Sequence, residues 1–316
     1  MDNTGDKLAI VVPCYNEEAV LEESVSRLIG VLDGLGSYVS SESFILCVND
    51  GSEDQTWDII RRLHAADRRV CGVRLAANAG HQNALLAGFS VVQDKADVFV
   101  TIDADLQDDE SVIKDMVIKY LEGVDIVYGV RKSRSTDTWF KRNTAQAFYS
   151  LMKKMGVQSV YNHADYRLMS KRAVKQLLMY GERNLYLRGL VPMIGYQTSC
   201  VYYDRRERFA GKSKYPVSKM MSLAFDGITS LSTVPLHYIL VVGALFVLVA
   251  FAMMLWALYS YCVGRTIAGW TSLMISMWFC FGCELLAIGI IGEYIGKIYI
   301  EVKGRPRFNV ESVLMD

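Results

Sequence analysis

Short apolar runs alternate with amphipathic stretches through the first two-thirds of the chain. Leu8–Pro13, Phe44–Asn49, Val70–Leu75, Val98–Ile102 and Asp125–Tyr128 are brief, rich in β-branched residues, and predict strands. Between them, Glu17–Leu32, Glu53–Asp67, Gly80–Val92 and Glu110–Glu122 carry apolar residues at helical spacing. This alternation predicts βαβ units and a mainly parallel sheet with helices on both faces. Ligands of such sheets meet the carboxyl ends of the strands. The polar clusters Cys14–Glu17, Asn49–Ser52 and Asp103–Asp105 each follow a strand directly.

The pattern changes after residue 215. Met220, Met221, Leu223, Ala224, Phe225, Ile228 and Leu231 recur at helical spacing within 216–235, with Lys219 and Asp226 among them. This segment reads as an amphipathic helix in a membrane interface or, equally, as a surface helix packed on the domain; Pro235 ends it. Two long apolar stretches follow within 236–296. Tyr238–Tyr261 carries no charge and Trp270–Ile291 carries only Glu284, so both read as transmembrane helices. Arg265 is the one basic residue between them. Lys212, Lys214 and Lys219 precede the first, and Lys297, Lys303, Arg305 and Arg307 follow the second. That bias places residues 1–215 and the 297–316 tail in the cytosol of a multi-pass plasma-membrane protein. Glu284 is costly at such depth and points to a contact between helices or subunits.

Composition adds two limits. The 34 basic and 34 acidic residues cancel, which argues against a long-range grip on nucleic acid. Seven scattered cysteines fit a reducing compartment, and Cys280 and Cys283 lie inside an apolar run where packing explains them. The opening MDNTGDK enters a strand without the basic and apolar regions of a signal peptide.

Asp103-Ala104-Asp105 is the most informative cluster. In an extended or turning segment the first and third side chains share a side, so two carboxylates can meet one Mg²⁺ or Mn²⁺ ion. Gln107 can add a carbonyl oxygen. The alternative is a loop that caps the helix at Glu110. Around Pro13, Tyr15 offers a flat face, Asn16 an amide and Glu17 a helix start, which suits a nucleotide or, equally, an N-capped turn. Asp50 can accept the N–H of a base, while Ser52 or Asp54 can cap.

Taken in order, these segments resemble the family 2 glycosyltransferases of the GT-A fold. The resemblance rests on Val12–Glu18, Asn49–Ser52, Asn78-Ala79-Gly80-His81, Asp103–Asp108, Asp165-Tyr166-Arg167-Leu168-Met169, Arg208–Tyr215 and Gly292–Tyr299. It covers nearly the whole chain and is nearest to the polyprenyl-phosphate glycosyltransferases with two C-terminal membrane helices, the bactoprenol glucosyltransferase type. It implies a Rossmann-like GT-A domain that takes a UDP-sugar, with Pro13, Tyr15, Asn16, Glu17, Asp50, Gly80 and His81 around the nucleotide. Asp103 would sit at the ribose or metal, and Asp105 with Gln107 would bind Mg²⁺ or Mn²⁺. Arg131 and Arg142 match positions that hold the acceptor phosphate in dolichol-phosphate mannosyltransferases. Arg208, Ser213 and Lys214 match a loop over the phosphates. Asp165 holds the place of the catalytic base, with Tyr166 where the pattern has Phe. The resemblance also implies polyprenyl phosphate as acceptor and a homo-oligomer, a tetramer in relatives.

The acceptor is a phosphomonoester with a second pKa of about 6, so it needs little deprotonation at pH 7. Asp165 is therefore expected to orient arginines or sugar hydroxyls, and one displacement would invert the anomeric centre. His163, two residues earlier, reads as structural. A processive polysaccharide synthase would carry Q-x-x-R-W, which this chain lacks. A flippase of two spans lacks paired polar residues, and intact Asp103, Asp105 and Asp165 oppose a dead scaffold. Glucose is the first candidate sugar; N-acetylglucosamine, galactose and mannose are not excluded.

Overall fold

The computed structural model describes residues 5–132, 163–183, 186–204, 229, 232–263 and 269–315. Eight strands form one sheet: β1 (Leu8–Cys14), β2 (Phe44–Asn49), β3 (Val70–Leu75), β4 (Val98–Thr101), β5 (Ile126–Arg131), β6 (His163–Ser170), β7 (Thr198–Tyr203) and β8 (Val310–Leu314). Their order is β7-β5-β6-β4-β1-β2-β3-β8. The β1–β2, β2–β3, β1–β4 and β5–β7 pairs are parallel; β6 runs antiparallel to both β4 and β5, and β8 antiparallel to β3.

Both faces of the central strands are covered, which is why they read as nearly continuous apolar runs. Leu8, Ile10, Val12 and Cys14 of β1 pack beneath α1 (Leu21–Gly34), α2 (Thr56–Ala66) and α4 (Ile113–Leu121). Ala9 and Val11 point the other way, beneath α3 (His81–Val92), α5 (Lys171–Met179) and α6 (Leu187–Met193). Every residue of β1 is buried. The five strands and four helices expected from patterning in residues 8–128 are all present. The strand β6 is an addition: Asp165 and Arg167 break its apolar pattern, yet it lies between two strands because the two charges meet each other.

Two helices, α7 (Val234–Cys262) and α8 (Trp270–Lys303), are long and apolar enough to cross a membrane. Their described large apolar side chains, such as Leu240, Leu248, Phe279 and Leu286, are exposed, and Glu284 is exposed with them. The second helix does not stop near Ile291. It continues to Lys303 and ends on Gly304, whose φ of 56° suits a glycine terminator. The segment expected as a cytosolic tail contains β8, which returns to the sheet as its edge strand. The stretch expected as an interfacial helix, 216–235, lies almost wholly outside the described residues.

Candidate active site

Three turns at one edge of the sheet lock together before any ligand is considered. Asn16 adopts φ 54°; its backbone amide donates to Ser52 Oγ at 3.0 Å and its side-chain oxygen accepts from the Glu53 amide at 3.0 Å. The Glu17 amide donates to Thr56 Oγ1, and Glu18 and Asp54 exchange bonds with the opposite backbone. Asn16 therefore caps the neighbouring turn and not its own helix, which begins at Leu21 without a side-chain cap. Tyr15 remains exposed beside it.

Asp50 is buried, and its two oxygens accept from the Ala79 and Gly80 amides at 2.7 and 3.0 Å. Gly51 makes this possible: at φ 63°, a Cβ there would lie 2.5 Å from the Asn78 nitrogen. Asp50 thus shapes the Asn78–Gly80 turn that delivers His81 at the start of α3.

His81 Nε2 lies 3.7 Å from Asp103 Oδ1 and 4.0 Å from Asp165 Oδ2. Asp103 follows β4, and Asp165 enters the same edge because β6 runs antiparallel to β4, pairing Thr101 with Arg167. Desolvation at the floor of the site pushes the Asp103 carboxyl up to about 6. His81 opposes that rise, while Asp108, Asp165 and Asp105 reinforce it. The Asp103 side chain keeps 41% of its surface open; three neighbouring carboxylates raise it in the same direction regardless. The Gln107 amide donates to Asp105 Oδ1 at 3.2 Å across a turn in which Leu106 takes φ 58°. Such strain in a non-glycine residue costs about 1–3 kcal/mol and concentrates at functional sites.

Asp165 lies between two arginines. Arg167 Nη2 reaches Oδ1 at 2.6 Å and Arg188 Nη2 reaches Oδ2 at 2.9 Å. Burial pushes the Asp165 carboxyl up, but the charges of Arg188 and Arg167 and the Arg188 hydrogen bond outweigh it and hold the group far below the usual carboxylate range. Arg167 is itself buried, and its Nε and Nη1 have no hydrogen-bond partner among the described residues.

Arg131, at the end of β5, donates to Asp108 Oδ1 at 3.1 Å, and the Tyr203 hydroxyl donates to the same oxygen at 2.5 Å. The Tyr166 ring meets Tyr203 edge-on, and its hydroxyl donates to the Asp109 carbonyl. One carboxylate thus orients Arg131 from beneath.

The same edge of the sheet carries Pro13, Tyr15, Asn16, Glu17, Asp50, Gly80, His81, Asp103, Asp105, Gln107, Asp165 and Arg131. Arg142, Arg208, Ser213 and Lys214 lie outside the described residues. Sequence reading did not give Asp108, Arg167, Arg188 and Tyr203 these places. Asp108 stood in view within the acidic run; Arg188 and Tyr203 reach the site only through α6 and β7. Among the described residues no three His, Cys, Asp or Glu side chains form a closed metal cage. A pair of carboxylates facing open space is the commoner arrangement for Mg²⁺, which completes its shell with substrate phosphate and water.

Residues 9–178 match the family described as Glycosyl transferase family 2. The uncharacterized glycosyltransferase YkoT of Bacillus subtilis (strain 168) is 51% identical over 98% of this chain and 93% of its own. The SfII prophage-derived bactoprenol glucosyl transferase of Shigella flexneri is 38% identical over 97% of this chain and 98% of its own. A crystal structure of glucosyl-3-phosphoglycerate synthase from Mycobacterium tuberculosis superposes with a TM-score of 0.46 at 19% identity, covering 73% of this chain and 78% of that one. On the family match and the two full-length relatives, this chain belongs to glycosyl transferase family 2 and is a glycosyltransferase.

Proposed function

We propose that this chain transfers a single sugar from a nucleotide-sugar, with UDP-glucose the first candidate, onto polyprenyl phosphate at the cytosolic face of the plasma membrane. The observation that carries the reading is that one chain joins an acidic sugar-transfer site to two helices able to cross a bilayer. An acceptor for such an enzyme is met at the lipid surface. The bactoprenol glucosyl transferase name of the Shigella flexneri relative agrees with a lipid acceptor and with glucose. The basic residues Lys297 and Lys303 in the last turns of α8 and Arg305 and Arg307 beyond it, against Arg265 alone between the helices, support the cytosolic orientation.

In this reading the exposed face of Tyr15 stacks on the donor base, and the Asp50-shaped turn presents Gly80 and His81 to the donor. Asp103, Asp105 and Gln107 would hold a Mg²⁺ or Mn²⁺ ion, which when bound offsets the charge gathering on the leaving diphosphate. That ion would also relieve the crowding that raises Asp103. Arg131, oriented by Asp108 and Tyr203, together with Arg142, holds the acceptor phosphate. Arg208, Ser213 and Lys214 close over the donor phosphates. A phosphate oxygen attacks the anomeric carbon from the face opposite the leaving diphosphate, and one displacement inverts the centre. The acceptor is mostly dianionic at pH 7, its second pKa being about 6. An arginine-held Asp165 is a weak base, so its work is to fix Arg188 in the site.

Radiolabelled UDP-glucose, UDP-N-acetylglucosamine, UDP-galactose and GDP-mannose, each offered with undecaprenyl phosphate, test the reading. Label entering a single-sugar lipid in the presence of Mg²⁺ or Mn²⁺ supports it, and the best donor identifies the sugar. Label in polymer, or in no lipid at all, overturns it.

A further inference from the structure

The end of α8 is joined to the active site by a short run of contacts. The Glu301 carboxylate faces the backbone amide of Arg183, which donates to Oε1 at 2.7 Å and Oε2 at 2.9 Å. Beyond the helix, Arg307 donates to the Tyr180 carbonyl. Farther along, the Leu187 amide donates to Gln82 Oε1 at 2.8 Å. Tyr180 and Arg183, which follow α5, are therefore held by the C-terminal chain, and Leu187, which opens α6, is held by α3 at the residue after His81. Arg188 is the second residue of α6, and its guanidinium is the one on Asp165.

Holding Glu301 here has a cost. Burial and the charge of Glu301 raise the Glu182 carboxyl, and Glu182 Oε2 is buried without a hydrogen-bond partner among the described residues. The paired bonds to the Arg183 amide offset that crowding. The tail also reaches the donor side. Asn309 accepts from the Ala76 amide at 3.0 Å, Glu311 pairs with Arg74 at 3.0 Å, and β8 lies along β3, which feeds the Asn78–Gly80 turn. Helix α8 is unbroken from Trp270 to Lys303, a length of about 50 Å at 1.5 Å per residue. One rigid element thus runs from the apolar segment to the Arg183 amide.

We propose that Glu301 is a positioning residue for sugar transfer: by gripping the Arg183 backbone it sets α6, and with it Arg188, against Asp165. The membrane helix and the catalytic site then form one mechanical unit. Glu301 touches no reacting atom and acts through Arg188. The kinetic arm of its test rests on the glycosyl-transfer reading above, and the exchange arm does not.

The full-length chain in phospholipid nanodiscs is compared with Glu301→Ala, Glu301→Gln, Arg188→Lys and the Glu301→Ala/Arg188→Lys pair. With UDP-glucose and undecaprenyl phosphate, Glu301→Ala should lower kcat by about ten- to a hundredfold, the scale of a small misplacement at a catalytic group. KM for the nucleotide-sugar should change by less than about twofold, as for loss of an interaction made only in the transition state. Glu301→Gln keeps one acceptor oxygen and should recover most of the rate. In the Arg188→Lys background the Glu301→Ala loss should shrink to under about threefold, since coupled residues are non-additive. Independent, multiplying losses overturn the proposal, as does a loss that merely follows a fall in Tm. Amide hydrogen exchange reads the same seat without any substrate. Faster exchange over residues 186–190 in Glu301→Ala supports the proposal, and unchanged exchange overturns it even if the donor or acceptor reading is wrong.

Discussion

Arg188 Nη2 lies 2.9 Å from Asp165 Oδ2, on the side of the carboxylate opposite Arg167. Two guanidinium groups on one carboxylate hold it ionised far below neutral pH. The pH profile of kcat/KM should therefore carry no ionisation of Asp165 between about pH 5 and 9. Asp165→Asn should lower kcat by about a hundredfold at every pH, the scale for losing one preorganised electrostatic group. If the variant instead removes the basic limb and drops the rate beyond about 10⁴-fold, Asp165 is the general base.

The same pair has a structural consequence. Arg167 is 2% exposed, and Asp165 is the partner of its Nη2. Removing one member of a buried ion pair strands the other, at a cost of about 3–5 kcal/mol. Asp165→Leu should lower the urea midpoint of the detergent-solubilised chain accordingly. Asp165→Leu combined with Arg167→Met should regain most of that loss while remaining inactive. A double variant no more stable than the single one would show that the pair does not act as a unit.

The same residues mark what the sequence made legible. Leu8–Cys14 and Phe44–Asn49 are buried on both faces, so their composition alone declares them strands, and the turns after them fall at the ligand edge by topology. The acidic cluster at Asp103–Asp108 was visible for the same reason. His163–Ser170 was not, because a charged pair replaces the apolar residues expected in a central strand. The partnership of Asp165 with Arg188 depends on how α6 returns to the sheet, and that of Asp108 with Tyr203 on the β5–β7 pairing; neither spacing is local. The bonds of Asp50 to the Ala79 and Gly80 amides were not legible, because a turn's own backbone demand for acceptors cannot be read without its fold. Strand β8 is short and follows a long apolar helix, and only the return of the chain gives it a partner.

Gly51 tests the interlocked turns. A methyl group there would meet the Asn78 nitrogen and the Ala77 carbonyl carbon at 2.5 and 2.6 Å, both backbone atoms with little room to move. Gly51→Ala should cost about 2–4 kcal/mol, from the positive φ and overpacking together. It should also weaken UDP binding, measured by calorimetry, because the displaced Asn78–Gly80 turn carries His81. Unchanged binding would separate this turn from the nucleotide site.

Asp50 offers a milder probe of the same turn. Asp50→Asn presents an N–H₂ group to one of the two amides that now donate to the carboxylate. An unmatched buried donor costs about 1–3 kcal/mol. We expect KM for the nucleotide-sugar to rise about tenfold with kcat changed little, since the turn serves binding more than charge development. A fall in kcat at constant KM would place the Asp50 turn at the reacting centre.

Asp125 lies far from this edge and reports on stability alone. Its carboxylate accepts from Arg172 Nε and Nη2 and from Ser170 Oγ, and it is buried. The Arg172 hydrogen bond chiefly, aided by Ser170 and the Arg172 charge and opposed by burial, lowers its pKa below the ordinary value. A depressed folded-state pKa means that the unfolded chain binds the proton more readily. The stabilisation is therefore complete above the unfolded pKa of about 3.9 and fades as pH falls through the folded value. Arg172 is 65% exposed, so solvent screening trims its share and leaves about 1–2 kcal/mol for the bonded cluster at pH 7. Asp125→Ala should lower the unfolding free energy from urea titration by that amount at pH 7. The difference from wild type should close as pH drops below about 4, the range in which the wild-type carboxyl takes up its proton. A gap that stays constant down to pH 2.5 would assign the loss to packing around Ser170 and not to the charge.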